Sequence, residues 1–215
     1  MRDAMSLEIH TIALGDFQTN AYVLIDGSEC WIVDPGFTPA GLLEFLRGRN
    51  LAPTRILLTH GHADHMAGIN DLLEAWPGVP IYCPADEAEM LTDANANLSG
   101  PFGVPVTSPP ADKLVSAGDV LEMNALSWQV LDTAGHTTGG LSYYCAQAGV
   151  VITGDALFAR GIGRTDFPGG DFHRLADNIR RNLYTLPPET KFYPGHGPCG
   201  TIGEEKRLNP FVKEQ

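Results

Sequence analysis

Positive charge is the first thing this sequence is short of. Fourteen Lys and Arg stand against 26 Asp and Glu, a formal net charge of −12. A surface that grips a phosphate backbone needs a positive footprint, so a nucleic-acid partner is not expected. Long apolar runs are also missing: nothing approaches the ~20 residues that cross a bilayer. The opening stretch Met1–Glu8 lacks the apolar core of an export signal. No membrane partner is expected, and the default location is the cytoplasm. Cysteine is sparse. Cys30, Cys83, Cys145 and Cys199 lie far apart, with no C-x-x-C spacing, which argues against a disulfide framework or a thiolate zinc site. The first three sit in apolar runs and read as small core residues. Cys199, near His196, is either a thiolate ligand or a passive neighbour, and the second reading is favoured. What remains is ordinary globular composition. At 215 residues, 43% of them hydrophobic, the chain is long enough to bury a substantial core, and one domain over residues 1–215 is expected.

Histidine is scarce as well, and that makes its placement informative. Three of the seven histidines fall in Thr59-His60-Gly61-His62-Ala63-Asp64-His65. The apolar run Arg55-Ile56-Leu57-Leu58 before it has the length and branching of a buried strand ending at Thr59. The histidines are therefore placed in a loop at a strand's carboxyl end, where side chains can converge. Imidazole and carboxylate suit zinc, iron and manganese. His60 and His62, two apart, can grip one ion across the bend, while Asp64 and His65 point elsewhere and can hold a second.

The same device recurs. Leu126–Leu131 reads as a strand that leads to Gly135-His136-Thr137. Val150–Thr153 runs into Gly154-Asp155, and Lys191–Tyr193 into Pro194-Gly195-His196-Gly197. Four times, an apolar strand ends in a glycine-bearing bend that carries a ligand-type residue. If those strand ends share one edge, the residues converge on one site. His10, within a strand, and His173, within a helix, fail this test and are left out.

Other elements follow from pattern. Leu7–Leu14, Asn20–Asp26, Cys30–Val33, Val79–Cys83, Asp119–Met123 and Leu141–Ala146 read as strands. Helices are expected from a Thr38 cap to Arg49, over Met66–Ala75, over Asp86–Asn97, from an Asp171 cap to Leu186, and over about Gly203–Val212. Asn97–Asp112, rich in proline, reads as a long loop that is either a lid or a surface crossover. The halves share a strand–strand–strand–helix rhythm, consistent with two β layers faced by helices.

Thr59–His65 resembles the T-H-x-H-x-D-H signature of the metallo-β-lactamase fold, and the likeness continues through Gly135-His136-Thr137, Thr153-Gly154-Asp155 and Pro194-Gly195-His196-Gly197. The resemblance is to the short glyoxalase II-like (hydroxyacylglutathione hydrolase-like) group. It implies an α/β αββα sandwich and two divalent metal ions per chain, zinc first, with iron or manganese as alternatives. It implies that His60, His62 and His136 hold one ion, that Asp64, His65 and His196 hold the other, and that Asp155 bridges both. Asp34, in Ile32-Val33-Asp34-Pro35-Gly36, would support the metal loop without ligating. The implied activity is hydrolysis of a small thioester such as S-lactoylglutathione by a hydroxide shared between the ions, with Asp64 also a candidate catalytic group. Arg164, with Arg160 second, would hold the carboxylate-bearing part of the thioester. With 19 residues after His196, the extra C-terminal helical domain of longer glyoxalase II enzymes is not expected, which leaves glutathione as the thiol open. The rival is a mononuclear-iron persulfide dioxygenase of the same fold, using only His60, His136 and Asp155.

Overall fold

The computed structural model describes residues 7–213; Met1–Ser6, on which part of the export-signal reading rests, lie outside them. The first sheet opens with antiparallel strands β1 (Glu8–Leu14), β2 (Thr19–Asp26) and β3 (Glu29–Val33), then continues in parallel through β4 (Arg55–Leu57), β5 (Ile81–Pro84) and β6 (Lys113–Val115). The second contains β7 (Val120–Met123), β8 (Leu126–Asp132), β9 (Leu141–Cys145) and β10 (Val150–Gly154). A short ribbon, β11 (Leu157–Phe158) with β12 (Gly161–Ile162), stands apart. Strands β13 (Lys191–Pro194) and β14 (Gly200–Thr201) complete the second sheet in the order β14-β13-β10-β9-β8-β7.

Alternation decides what lies between the layers. Tyr22, Leu24, Trp31 and Val33 of the first sheet meet Trp128, Val130, Tyr143 and Ile152 of the second. Trp31 and Trp128 are fully buried, with ring centroids 6.2 Å apart. The opposite face of the first sheet packs on helix α1 (Ala40–Gly48) through Leu42 and Leu46, one turn apart, and on α3 (Ile69–Ala75), which follows the single turn α2 (Ala63–Met66). The outer face of the second sheet is covered by Leu175 and Ala176 of α4 (Phe172–Asn178), by Ile179 and Leu183 of the π-helical turn after it, and by Ile202 of α5 (Ile202–Leu208). This is the αββα sandwich the sequence implies. No helix among the described residues is long and apolar enough to cross a membrane.

Several boundaries differ from those the pattern predicts. Thr38 does not cap α1: its φ is +55°, Pro39 takes the cap position, and no side chain caps the helix. The expected Met66–Ala75 helix is broken at Gly68, where a Cβ would lie 2.7 Å from the Gly36 carbonyl oxygen; the strand-end loop needs that space. Asp86–Asn97 is a 3₁₀ helix over Ala85–Leu91 and then turns, because the Asp93 carboxylate accepts from the Asn95 amide and bends the chain. Asp171 does cap α4, accepting from the Arg174 amide at 3.0 Å, but the helix widens at Ile179 and ends at Leu183. The last helix is Ile202–Leu208.

What matters for chemistry is the edge the strand ends share. β10 and β13 pair in parallel, so Gly154 and Pro194 lie opposite one another and both next residues leave on the same side. Several hydrogen bonds tie the first sheet to that edge. Tyr22 donates its hydroxyl to the Pro194 carbonyl at 2.5 Å, and Tyr143 donates to the Leu58 carbonyl at 2.6 Å. The Leu141 amide donates to the Thr59 carbonyl at 2.9 Å.

Candidate metal centre

All seven of the proposed ligands come together at this edge. Donor atoms of His60, His62 and His136 lie within 4.8 Å of one another, as do those of Asp64, His65 and His196, and those of His60, His65 and Asp155. Asp155 stands between: Oδ1 is 3.4 Å from His65 Nε2, and Oδ2 is 3.6 Å from His136 Nε2 and 3.5 Å from His196 Nε2. Asp64 and His65 sit on the helical turn α2 rather than in a loop, and the His65 ring stays beside that of His60, centroids 4.0 Å apart.

Three of the five imidazoles are aimed by a bond at the far nitrogen. His136 Nδ1 donates to the Arg164 carbonyl at 2.7 Å, His196 Nδ1 to the Phe17 carbonyl at 3.1 Å, and His65 Nδ1 to Asp34 Oδ2 at 3.0 Å. These bonds leave the Nε2 lone pairs facing inward. Asp34 also accepts from the Thr59 amide at 2.8 Å and the Thr59 hydroxyl at 2.7 Å, so one buried carboxylate fixes both the strand end and a ligand. It adopts φ +51° to do so, a left-handed backbone uncommon outside glycine. Asp64 Oδ2 accepts the Thr19 hydroxyl at 3.0 Å.

The donor set fits divalent cations. His60 Nε2, His65 Nε2 and Asp155 Oδ1 are buried with no hydrogen-bond partner, and each such orphan costs about 1–3 kcal/mol unless something binds it. Burial, then the neighbouring His65, holds His60 well below the usual histidine range, and burial with the facing His136 pulls His62 down to about 3; both keep neutral lone pairs. His65 goes the other way. Burial opposes its charge, yet Asp64, Asp155 and Asp34 hold it well above the usual value. Burial would likewise raise Asp64 and Asp155, but His65 and His196 together, with Thr19 for Asp64 and His136 for Asp155, outweigh it, and both stay below the usual carboxylate range. The centre thus concentrates negative charge that a proton on His65 partly answers, and that cations would answer better by displacing it.

Replacing Asp34 by Asn tests the aim of His65. The amide keeps one acceptor for three donors, and cation affinity is expected to fall about 10- to 100-fold in a calorimetric titration of metal-free protein with zinc. Unchanged affinity would make the Asp34 contact dispensable.

Beside this centre lies a pocket walled by Phe17, Phe37, Leu98, Phe102, Val104 and Phe167. Segment 97–112 therefore forms a wall of the site. It is pinned by the Asn97 side chain, which donates to the Met90 and Val106 carbonyls at 2.8 and 2.9 Å. Arg164 lines the pocket, its guanidinium stacked 3.7 Å over the Phe167 ring and paired to Asp166 at 2.7 and 2.8 Å. Arg160 is not among the lining residues; it bonds Glu205 at 2.8 Å. His10 bonds Glu8 and Arg49 elsewhere, and Cys199 packs on the inter-sheet core. Sequence reasoning missed Thr19, the Phe17 carbonyl and Glu87, none of which carries a local signal.

Comparisons with known proteins place this architecture. The sequence model of the Metallo-beta-lactamase superfamily matches residues 14–196. The probable metallo-hydrolase YqgX of Bacillus subtilis is 40% identical, covering 93% of this chain and 94% of that protein. Hydroxyacylglutathione hydrolase GloC of Haemophilus influenzae is 32% identical over 97% of this chain and 100% of its own. Among solved structures, BLEG-1 B3 metallo-beta-lactamase superposes with a TM-score of 0.92 at 38% identity, covering 96% of this chain and 100% of that one. TTHA1623 in a di-iron-bound form does so with 0.84 at 35%, covering 94% and 100%, and ETHE1 from Myxococcus xanthus with 0.75 at 31%, covering 94% and 83%.

Proposed function

Because the chain belongs to the metallo-beta-lactamase superfamily, and with it to the metal-dependent hydrolases, we propose that it cleaves small thioesters such as S-lactoylglutathione at a two-metal centre. His60, His62 and His136 would hold one ion and Asp64, His65 and His196 the other, with Asp155 placed to serve both. Two bound divalent cations would supply a water acidified toward neutrality and a Lewis acid for the carbonyl oxygen.

The chain's own groups do the rest. The observation that carries the reading is that the second donor group is built as carefully as the first. His65 is aimed by Asp34, His196 by the Phe17 carbonyl and Asp64 by the Thr19 hydroxyl. A single-iron oxygenase drawing on His60, His136 and Asp155 has no ligand role for His65, His196 or Asp64. Asp64, on the pocket wall with Oδ2 3.3 Å from His196 Nε2, is placed to orient the attacking water and take up its proton. A pocket of about 210 Å³ is small beside the ~300–1,000 Å³ of sites for drug-sized ligands, which suits a short acyl group. Arg164 can present its fork to a substrate carboxylate by exchanging Asp166, since that ion pair is exposed and water screens it. The likeness to GloC supports the choice of substrate.

Metal content and turnover should be measured on one preparation. About two ions per chain together with cleavage of S-lactoylglutathione is the expected result. One iron per chain, no cleavage, and oxygen consumption with glutathione persulfide would replace this reading with the dioxygenase. Two ions with hydrolysis of a β-lactam instead of a thioester would keep the centre and discard the substrate.

A further inference from the structure

Among the described residues, Glu87 is the one fully buried carboxylate near the centre with no part in the proposed ligand set or in its support by Asp34. It lies on the 3₁₀ helix, with no measurable exposure. Its two oxygens are spent on two different loops. Oε2 accepts from the Gly61 amide at 2.5 Å, and Oε1 accepts from the Gly139 amide at 2.8 Å. Gly61 separates His60 from His62, and Gly139 lies three residues after His136. All three donors of the first group therefore hang from the two loops that Glu87 joins.

The contact is close as well as polar. A Cβ on Gly61 would lie 2.7 Å from Met90 Cβ, and one on Gly139 would lie 2.7 Å from Asp86 Cβ. Both loops press on the same short helix, and only glycine allows both amides to reach the carboxylate. Burial pushes the Glu87 carboxyl up, and the Thr137 hydroxyl and the amides of Gly61 and Gly139 pull against it. A bare buried carboxylate is expensive, whereas one accepting from backbone N–H groups at each oxygen is held in a single geometry.

We propose that Glu87 is the positioning residue of the first donor group, setting the separation of the His60–His62 loop from the His136 loop, as Asp34 does for His65 in the second. The proposal rests on the two-metal part of the functional reading and is independent of the substrate. It predicts a selective effect. Glu87→Gln keeps the volume but turns an NH₂ toward one of the two amides, so one loop is repelled while the second donor group is untouched.

The test is zinc binding to metal-free protein by calorimetry, in two backgrounds. With His196→Ala, the first group is the better remaining site, and adding Glu87→Gln is expected to weaken the remaining ion about 10- to 100-fold. With His62→Ala, the second group remains, and adding Glu87→Gln is expected to leave affinity within about twofold. Equal loss in both backgrounds would reduce Glu87 to a structural residue, and no loss in either would overturn the proposal. A parent protein that takes up fewer than two ions would instead sink the two-metal reading itself. Should Glu87→Gln fail to fold, amide resonances decide the matter in the unmodified protein. The Gly61 and Gly139 N–H protons are expected well downfield of the other glycine amides, and ordinary shifts would rule out the charge-assisted bonds.

Discussion

Replacing Asp155 by alanine is expected to remove at least one bound cation per chain and about a thousandfold or more of thioester turnover, with the fold retained. Among the seven side chains, Asp155 alone is a carboxylate facing imidazoles of both donor groups: Oδ1 toward His65, Oδ2 toward His136 and His196. Two like-charged ions cannot be held near one another by neutral imidazoles without a negative group between them. Metal assistance contributes several kcal/mol to a hydrolytic transition state, and about 1.4 kcal/mol is a factor of ten in rate, so loss of one ion alone reaches about a thousandfold. The residue follows β10 rather than packing inside a core, and its Oδ1 has no hydrogen-bond partner to lose. Far-UV dichroism should therefore be unchanged. Metal analysis and kcat/KM on the same variant decide the matter. Two ions per chain with turnover near that of the parent would remove Asp155 from the centre.

The parts of this site that the sequence makes legible share a physical cause. Strands β4, β8, β10 and β13 are apolar runs followed by glycine and histidine or aspartate, and each ligand other than those on α2 lies within five residues of such an end. Sheet pairing then brings the ends together, because β10 and β13 are parallel neighbours and Tyr22 and Tyr143 pin the other sheet to the same edge. The edges of the fold are not legible in this way. In β6, Lys113 and Leu114 are exposed and the strand exists because β5 templates it; β14 is a two-residue strand placed by β13. The supports are invisible for a different reason. Thr19, the Phe17 carbonyl and Glu87 act on residues far away in the chain, so no local pattern reports them. Arg160 shows the limit from the other side. The resemblance of the loop after Asp155 suggests the pocket, but Arg160 takes φ +61° at the tip of the β11–β12 ribbon, and its guanidinium reaches Glu205 on α5 instead.

A single methyl group at Gly195 is expected to lower kcat/KM at least about a hundredfold. The glycine before His196 has no positive φ to explain it; the reason is steric. A Cβ there would lie 2.0 Å from Asp155 Oδ1 and 2.7 Å from the His65 Cε1, inside the space between the two donor groups. The backbone cannot retreat. The Gly195 amide donates to the Gly154 carbonyl at 2.8 Å, and its carbonyl accepts from the Asn20 amide at 2.7 Å, so both sheets hold it in place. The Asp155 carboxylate must move instead, by about an ångström or more to restore ordinary contact, and a misplacement of that size costs about 10²-fold in rate. Gly48→Ala is the control. It ends α1 with nothing within 4 Å of its Cβ, and it is expected to leave turnover unchanged and stability equal or higher by up to about 1 kcal/mol. Gly195→Ala should keep its secondary structure and bind zinc more weakly in calorimetry, with the turnover loss following the metal loss. If it binds two ions as tightly as the parent and turns over thioester at the same rate, then Asp155 does not sit between the ions, and the bridging role assigned to it fails along with this prediction.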